Sequence, residues 1–207
     1  MTKEWLSVSW SRFDPAAYGI ACQELLRDER LCELGPGSPN EAAREKLATL
    51  TPESLAGERK IRDRRMASCC LAGLWLLHDF LDESHSLSQE IHTTTGSYWH
   101  GILHRHEPDY GNAKYWFQRV GEHPVFAPLH QAARELAEQS AESTTTSQTD
   151  RADEFLRSQT AWDPMRFVDL CEAVARGRST SELLCRRVAL AEWQLLFDHC
   201  FGKAFGD

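Results

Sequence analysis

The chain has 207 residues, 42% of them hydrophobic, and a net charge of −8 from 31 acidic and 23 basic side chains. That length can bury the core of one domain, and the negative balance argues against a nucleic-acid partner, whose phosphates call for a basic surface. The seven cysteines are scattered, with no C-x-x-C spacing, which excludes a zinc ribbon or a redox pair and fits a reducing cytoplasm.

In chain order, residues 1–15 show neither a basic lead nor an apolar run of signal-peptide length. The longest apolar run, 69–77, is about half of what a bilayer span requires, so no membrane role is expected. Asp14-Pro15 caps and opens a helix to about residue 28. A Gly/Pro loop over 35–40 precedes a helix near 41–49, and Thr51-Pro52-Glu53 starts a short turn. From 67 to 81 the chain is apolar nearly all round, as a helix buried inside a bundle is. The expected central helix, 66–85, carries an inward row of Leu71, Leu74, Trp75, His78, Asp82 and His85. Asp79 and Glu83 fall on a wetter face, and Cys69 and Cys70 serve as small apolar fillers.

Residues 93–96 read as a break. A helix over 98–106 follows, ended by Pro108, which biases Glu107 away from helical geometry. Asp109 then caps a helix over 110–120, which Gly121 closes. Residues 128–140 are amphipathic. Residues 141–151 are polar and low in complexity, the expected flexible internal loop. Asp163-Pro164 opens a helix to about 175, and 179–205 make a long last one. Period-two alternation is scarce and no 34- to 40-residue repeat is visible. The expectation is all-α: one irregular helical bundle spanning 1–207 around the buried helix 66–85.

Eight of the nine histidines lie between His78 and His130, a concentration of groups that titrate near neutrality. At about 3.6 residues per turn, Ser97, His100, His104 and Glu107 share one stripe of the helix over 98–106. Gly101 borders that stripe and leaves room for a backbone or ligand to approach. Asn112, Tyr115 and Arg119 share a face of the next helix. Burying His78 and Asp82 unpartnered would cost several kcal/mol, on the order of any lost buried charge or dipole, so the stripes are expected to converge.

Trp99-His100-Gly101, His104-Arg105, Glu107, Asp109 and Asn112-Ala113-Lys114-Tyr115-Trp116 together resemble a signature in uncharacterised bacterial and fungal proteins of about this size. Leu81-Asp82-Glu83-Ser84-His85, Trp162-Asp163-Pro164 and Phe167-Val168-Asp169-Leu170-Cys171-Glu172 resemble further pieces of it. The resemblance spans roughly 71 to the C-terminus and departs at His106, where the signature carries arginine. It implies no catalytic assignment.

Three readings of the polar stripes stand side by side. In one, His100 and His104, at the i, i+4 spacing that lets two imidazoles meet one ion, hold a divalent transition metal completed by Glu107, His78, Asp82 or His85. In another, a metal-free pocket binds a small polar or anionic metabolite. Arg105 and Arg119 clamp it, Tyr98, Trp99, Tyr115 and Trp116 wall it, and His104 with Glu107 forms an acid–base pair. The third is a helical scaffold or interaction protein whose polar groups satisfy one another. The functional expectation is recognition or turnover of a small polar or anionic metabolite, with or without a metal. The ligand-binding set is His78, Asp82, His85, Tyr98, Trp99, His100, Arg105, Asn112, Tyr115 and Arg119.

Overall fold

A computed structural model describes residues 13–28, 30–143 and 151–206. Among them every regular element is helical: a 3-10 turn at Pro15–Tyr18, then α1 (Ile20–Leu25), α2 (Glu41–Thr49), α3 (Pro52–Ala56), α4 (Arg64–Leu77), α5 (Leu81–Ser88), α6 (Thr94–His106), α7 (Tyr110–Val120), α8 (Phe126–Ser143), α9 (Arg151–Ser158), α10 (Pro164–Ala175) and α11 (Glu182–Phe205). The fold is all-α. No described helix is long and apolar enough to cross a membrane.

The helix starts follow local chemistry. Asp63, Thr93, Asp109 and Asp163 each accept backbone N–H groups of the helix they precede, filling donors that the first turn leaves unpaired. The expected helix from Asp14 is instead a 3-10 turn and a short α1, separated by Gly19 at φ 85°. The segment 93–96 is no break: Thr93 caps α6, and its Oγ1 accepts from Gly96 N at 3.0 Å. At Gly96 a Cβ would lie 2.1 Å from the Ile91 carbonyl oxygen, so glycine lets the preceding loop fold against the helix. The α9 segment had no sequence signal of its own. Of the expected loop over 141–151, residues 144–150 lie outside the described residues, and the flanking positions are helical.

The buried centre is α4 packed on α11. Gly73 sits where two indoles meet: its missing Cβ admits the Trp99 ring at 2.8 Å, and its carbonyl accepts from Trp193 Nε1 at 2.8 Å. Trp193 stacks on Phe197, and Phe197, Phe201 and Phe205 continue the aromatic row along α11.

The expected continuous helix 66–85 is two helices. It ends at Leu77, Asp79 takes φ 61°, and the chain restarts as α5 at Leu81. The elbow rotates the polar residues out of the register expected of one helix. Asp79, placed on the wet face by angle, is buried and paired with Arg30 Nη2 at 3.0 Å. Asp82, placed on the inward row, is exposed.

Candidate metal centre

Three imidazoles converge where α5 packs on α6. His85 comes from α5, and His100 and His104 stand one turn apart on α6. One ring nitrogen from each lies within 4.8 Å of the other two. The rings of His100 and His104 stack at 4.7 Å, and His85 meets them edge-on at 4.6 and 5.5 Å. His100 and His104 are buried, and His85 is half-buried.

Two of the three rings are held from outside the cluster. Glu107, at the C-cap of α6, accepts a hydrogen bond from His104 Nδ1 at 2.9 Å. A carboxylate only accepts, so the proton sits on Nδ1 and the Nε2 lone pair of a neutral His104 is left free. The Asp109 N–H donates to the His104 carbonyl at 2.9 Å, closing α6 so that Glu107 lies beside that ring. Trp116 of α7 lies flat on His100, with centroids 3.9 Å apart and planes 13° from parallel. His100 Nδ1 is buried without a hydrogen-bond partner.

Burial favours the neutral form of the two α6 rings. Burial pushes the His100 pKa down to about 3, with His104 and His85 adding to the effect. Burial also lowers that of His104, against the pull of Glu107. Neutral imidazole is the form that ligates metal, so burial favours the ligating form of His100 and His104.

Three nitrogens on a tetrahedral ion at about 2.05 Å stand about 3.3 Å apart. The nitrogens now lie up to 4.8 Å apart, so an ion would draw them about 1.5 Å closer. No family model matches the chain, and no curated protein or solved structure matches it.

The other expected site residues divide. His78 stands apart: it bonds Asn40 Nδ2 through Nδ1 at 2.9 Å and the Leu25 carbonyl through Nε2 at 3.2 Å. Asp82 is exposed and Asn112 lies on the surface, so the expected convergence holds for His85 and fails for His78. Tyr98 and Trp99 are fully buried in the core; they do not wall an open pocket. Arg105 is no anion clamp. It is 3% exposed and paired with Glu192 of α11, to which the Tyr98 hydroxyl also donates at 3.0 Å. Burial opposes its charge, yet Glu192, with Cys171 and Tyr98 beside it, offsets this and raises its pKa. Arg119 remains outside: its guanidinium lies over the rings of Tyr115 and Trp116, at 5.8 and 5.5 Å from their centroids. It makes no ion pair with the described residues. Gly101 admits the Phe117 ring, 3.1 Å from where its Cβ would be, in place of a ligand.

Two contacts were not legible in the sequence. Trp116 is expected as a pocket wall and as part of the signature, not as the plane stacked on His100, although its i+4 spacing from Asn112 places it beside the polar face. Glu192 is a lone carboxylate within the apolar run 188–197, and that isolation was its only signal.

Proposed function

We propose that His85, His100 and His104 hold one divalent transition-metal ion, zinc being the species best suited to three neutral imidazoles. The observation that carries this is the convergence of three ring nitrogens from two helices within 4.8 Å. The unpartnered His100 Nδ1 supports it further, because a hydrogen-bond network built for stability would supply that atom a partner.

Three protein ligands leave a coordination position open, the arrangement of catalytic rather than structural zinc centres. A bound ion there supplies Lewis-acid polarisation of a substrate oxygen. The chain's own residues position and select. Glu107 fixes the tautomer and angle of His104, as a carboxylate behind a ligating histidine does. Trp116 immobilises His100. Arg119, free of other ion pairs among the described residues and held on Trp116, offers a planar donor fork to a carboxylate or phosphate.

The reading is metal-assisted recognition or turnover of a small anionic metabolite. The signature residues His100, His104, Glu107 and Trp116 all fall in this centre, and we read the signature as that of a metal site. The cysteines form no disulfide among the described residues, which fits a reducing compartment such as the cytoplasm.

Protein purified without chelators and analysed for metals tests this. One equivalent of zinc or another first-row metal is expected in the wild type, and at most about a tenth of that in His85→Ala, His100→Ala and His104→Ala. Metal-free wild type that takes up no zinc at micromolar concentration overturns the proposal.

A further inference from the structure

A cavity of about 880 Å³ lies beyond the end of α7, away from the three histidines. Its walls come from the start of α8, the end of α9 and the segment 159–164 that leads into α10. Phe126, Phe155 and Trp162 give it aromatic faces, and Phe167 backs the Trp162 ring at 5.1 Å. This is the size and lining of a small-molecule site.

Most polar groups of the wall are already engaged. His123 Nδ1 accepts from the Val125 N–H at 3.3 Å, so its proton is on Nε2, which donates to Thr95 Oγ1 at 3.1 Å. His130 Nε2 donates to the Gln159 carbonyl at 2.8 Å. The Asp163 carboxylate caps α10 through the Met165 and Arg166 N–H groups. The Arg166 guanidinium lies over the Phe155 ring at 4.8 Å. Two atoms remain. Trp162 is only 6% exposed, and its Nε1 is buried with no partner; Gln159 Oε1 is likewise buried with none. A buried polar group is destabilising while it stays unpaired, and two fall on residues three apart in one wall.

We infer that this cavity binds a flat, uncharged heteroaromatic molecule carrying a hydrogen-bond acceptor and an N–H donor side by side, of the lactam type. The acceptor takes the Trp162 indole N–H, the donor meets Gln159 Oε1, and the rings fill the space between the aromatic faces. Both atoms are closed over, so seating the ligand requires the Gln159 side chain to leave the Leu156 carbonyl, to which its Nε2 donates at 3.5 Å, and swing aside. Glu122 and Asp163 disfavour an anion, and Arg166 disfavours a cation.

Isoquinolin-1(2H)-one is the probe and naphthalene, the same frame without polar atoms, its control. Both are titrated into the full-length ¹⁵N-labelled protein while indole N–H signals are followed. The Trp162 signal is assigned as the one missing from Trp162→Phe. Isoquinolinone is expected to move that signal and to bind roughly tenfold more tightly than naphthalene, the factor one well-made hydrogen bond gives. Trp162→Phe and, separately, Gln159→Met should abolish the preference while the ligand-free Tm holds or rises, since each removes an unpaired buried group. Equal affinity for the two probes, an unmoved Trp162 signal at millimolar isoquinolinone, or a preference that survives both variants overturns the inference.

Discussion

His104 does two things at once: its Nδ1–H is committed to Glu107, and its Nε2 is left for whatever enters the cluster. Glu107→Gln keeps the shape but weakens the orienting bond. Zinc affinity should fall about 10- to 100-fold, measured by competition with a chromophoric chelator, with the far-UV circular dichroism unchanged. An unchanged affinity would mean that Glu107 serves only as a cap. His100 gives the complementary test in metal-free protein. Its buried Nδ1 has no partner, so His100→Leu should hold or raise Tm while zinc uptake is lost. A stability loss of about 3 kcal/mol or more would make His100 a core partner and count against the centre. At this scale the sequence was half legible. The i, i+4 pair of His100 and His104 follows from helical angle alone. Arg105 and Arg119 look alike in sequence, and only the approach of Glu192 from 87 residues away separates a buried ion pair from a free cation.

Asp109 is the element-scale case in which local chemistry sufficed. Its side chain accepts from Asn112 N at 3.2 Å, and Asp109→Ala should cost about 1 kcal/mol in urea unfolding through the lost cap. Gly96 shows the opposite. Inside a helix glycine usually costs about 1 kcal/mol relative to alanine, so Gly96→Ala reads as stabilising from sequence. Against the Ile91 carbonyl a Cβ would sit at 2.1 Å, and the variant should instead lose stability, read as a lower Tm. A raised Tm would show that the loop 89–93 gives way freely. The elbow at residues 78–80 was invisible for a related reason. Asp79 adopts φ 61° where Arg30 and the loop around Gly37, 42 residues upstream, close over it. Periodicity located the apolar run but could not say that the helix turns within it.

Across the whole molecule, burial holds several histidines neutral. His78, His106 and His123 are each pushed down to about 4, first by burial and then by Arg30, Arg105 and His199 respectively. The unfolded chain, with imidazoles near 6.5, binds more protons between about pH 6.5 and pH 4. Stability present above pH 6.5 is therefore lost as pH falls through that window, at about 1.4 kcal/mol per unit for each histidine. Against a total of about 5–15 kcal/mol, acid unfolding followed by circular dichroism should be largely complete by about pH 4. A midpoint well below pH 4 would contradict the buried, neutral assignment. The Arg105–Glu192 pair sets a second molecule-wide term. Glu192→Ala strands a buried cation and should cost about 3–5 kcal/mol, while Arg105→Met with Glu192→Leu should recover most of it. A single variant as stable as the double one would mean that water reaches Arg105.

The elbow before α5 has a consequence for motion. With α4 ending at Leu77, the eight residues of α5 are joined to their neighbours only by short non-helical links, and His85 is their contribution to the cluster. An ion bound there ties α5 across to α6 and closes the intervening strip of chain into a ring. Loading the centre should therefore slow amide hydrogen exchange most in α5, more than in α6, which α7 already braces. Occupancy would then be readable as the clamping of one small helix, even where no chemistry is being followed.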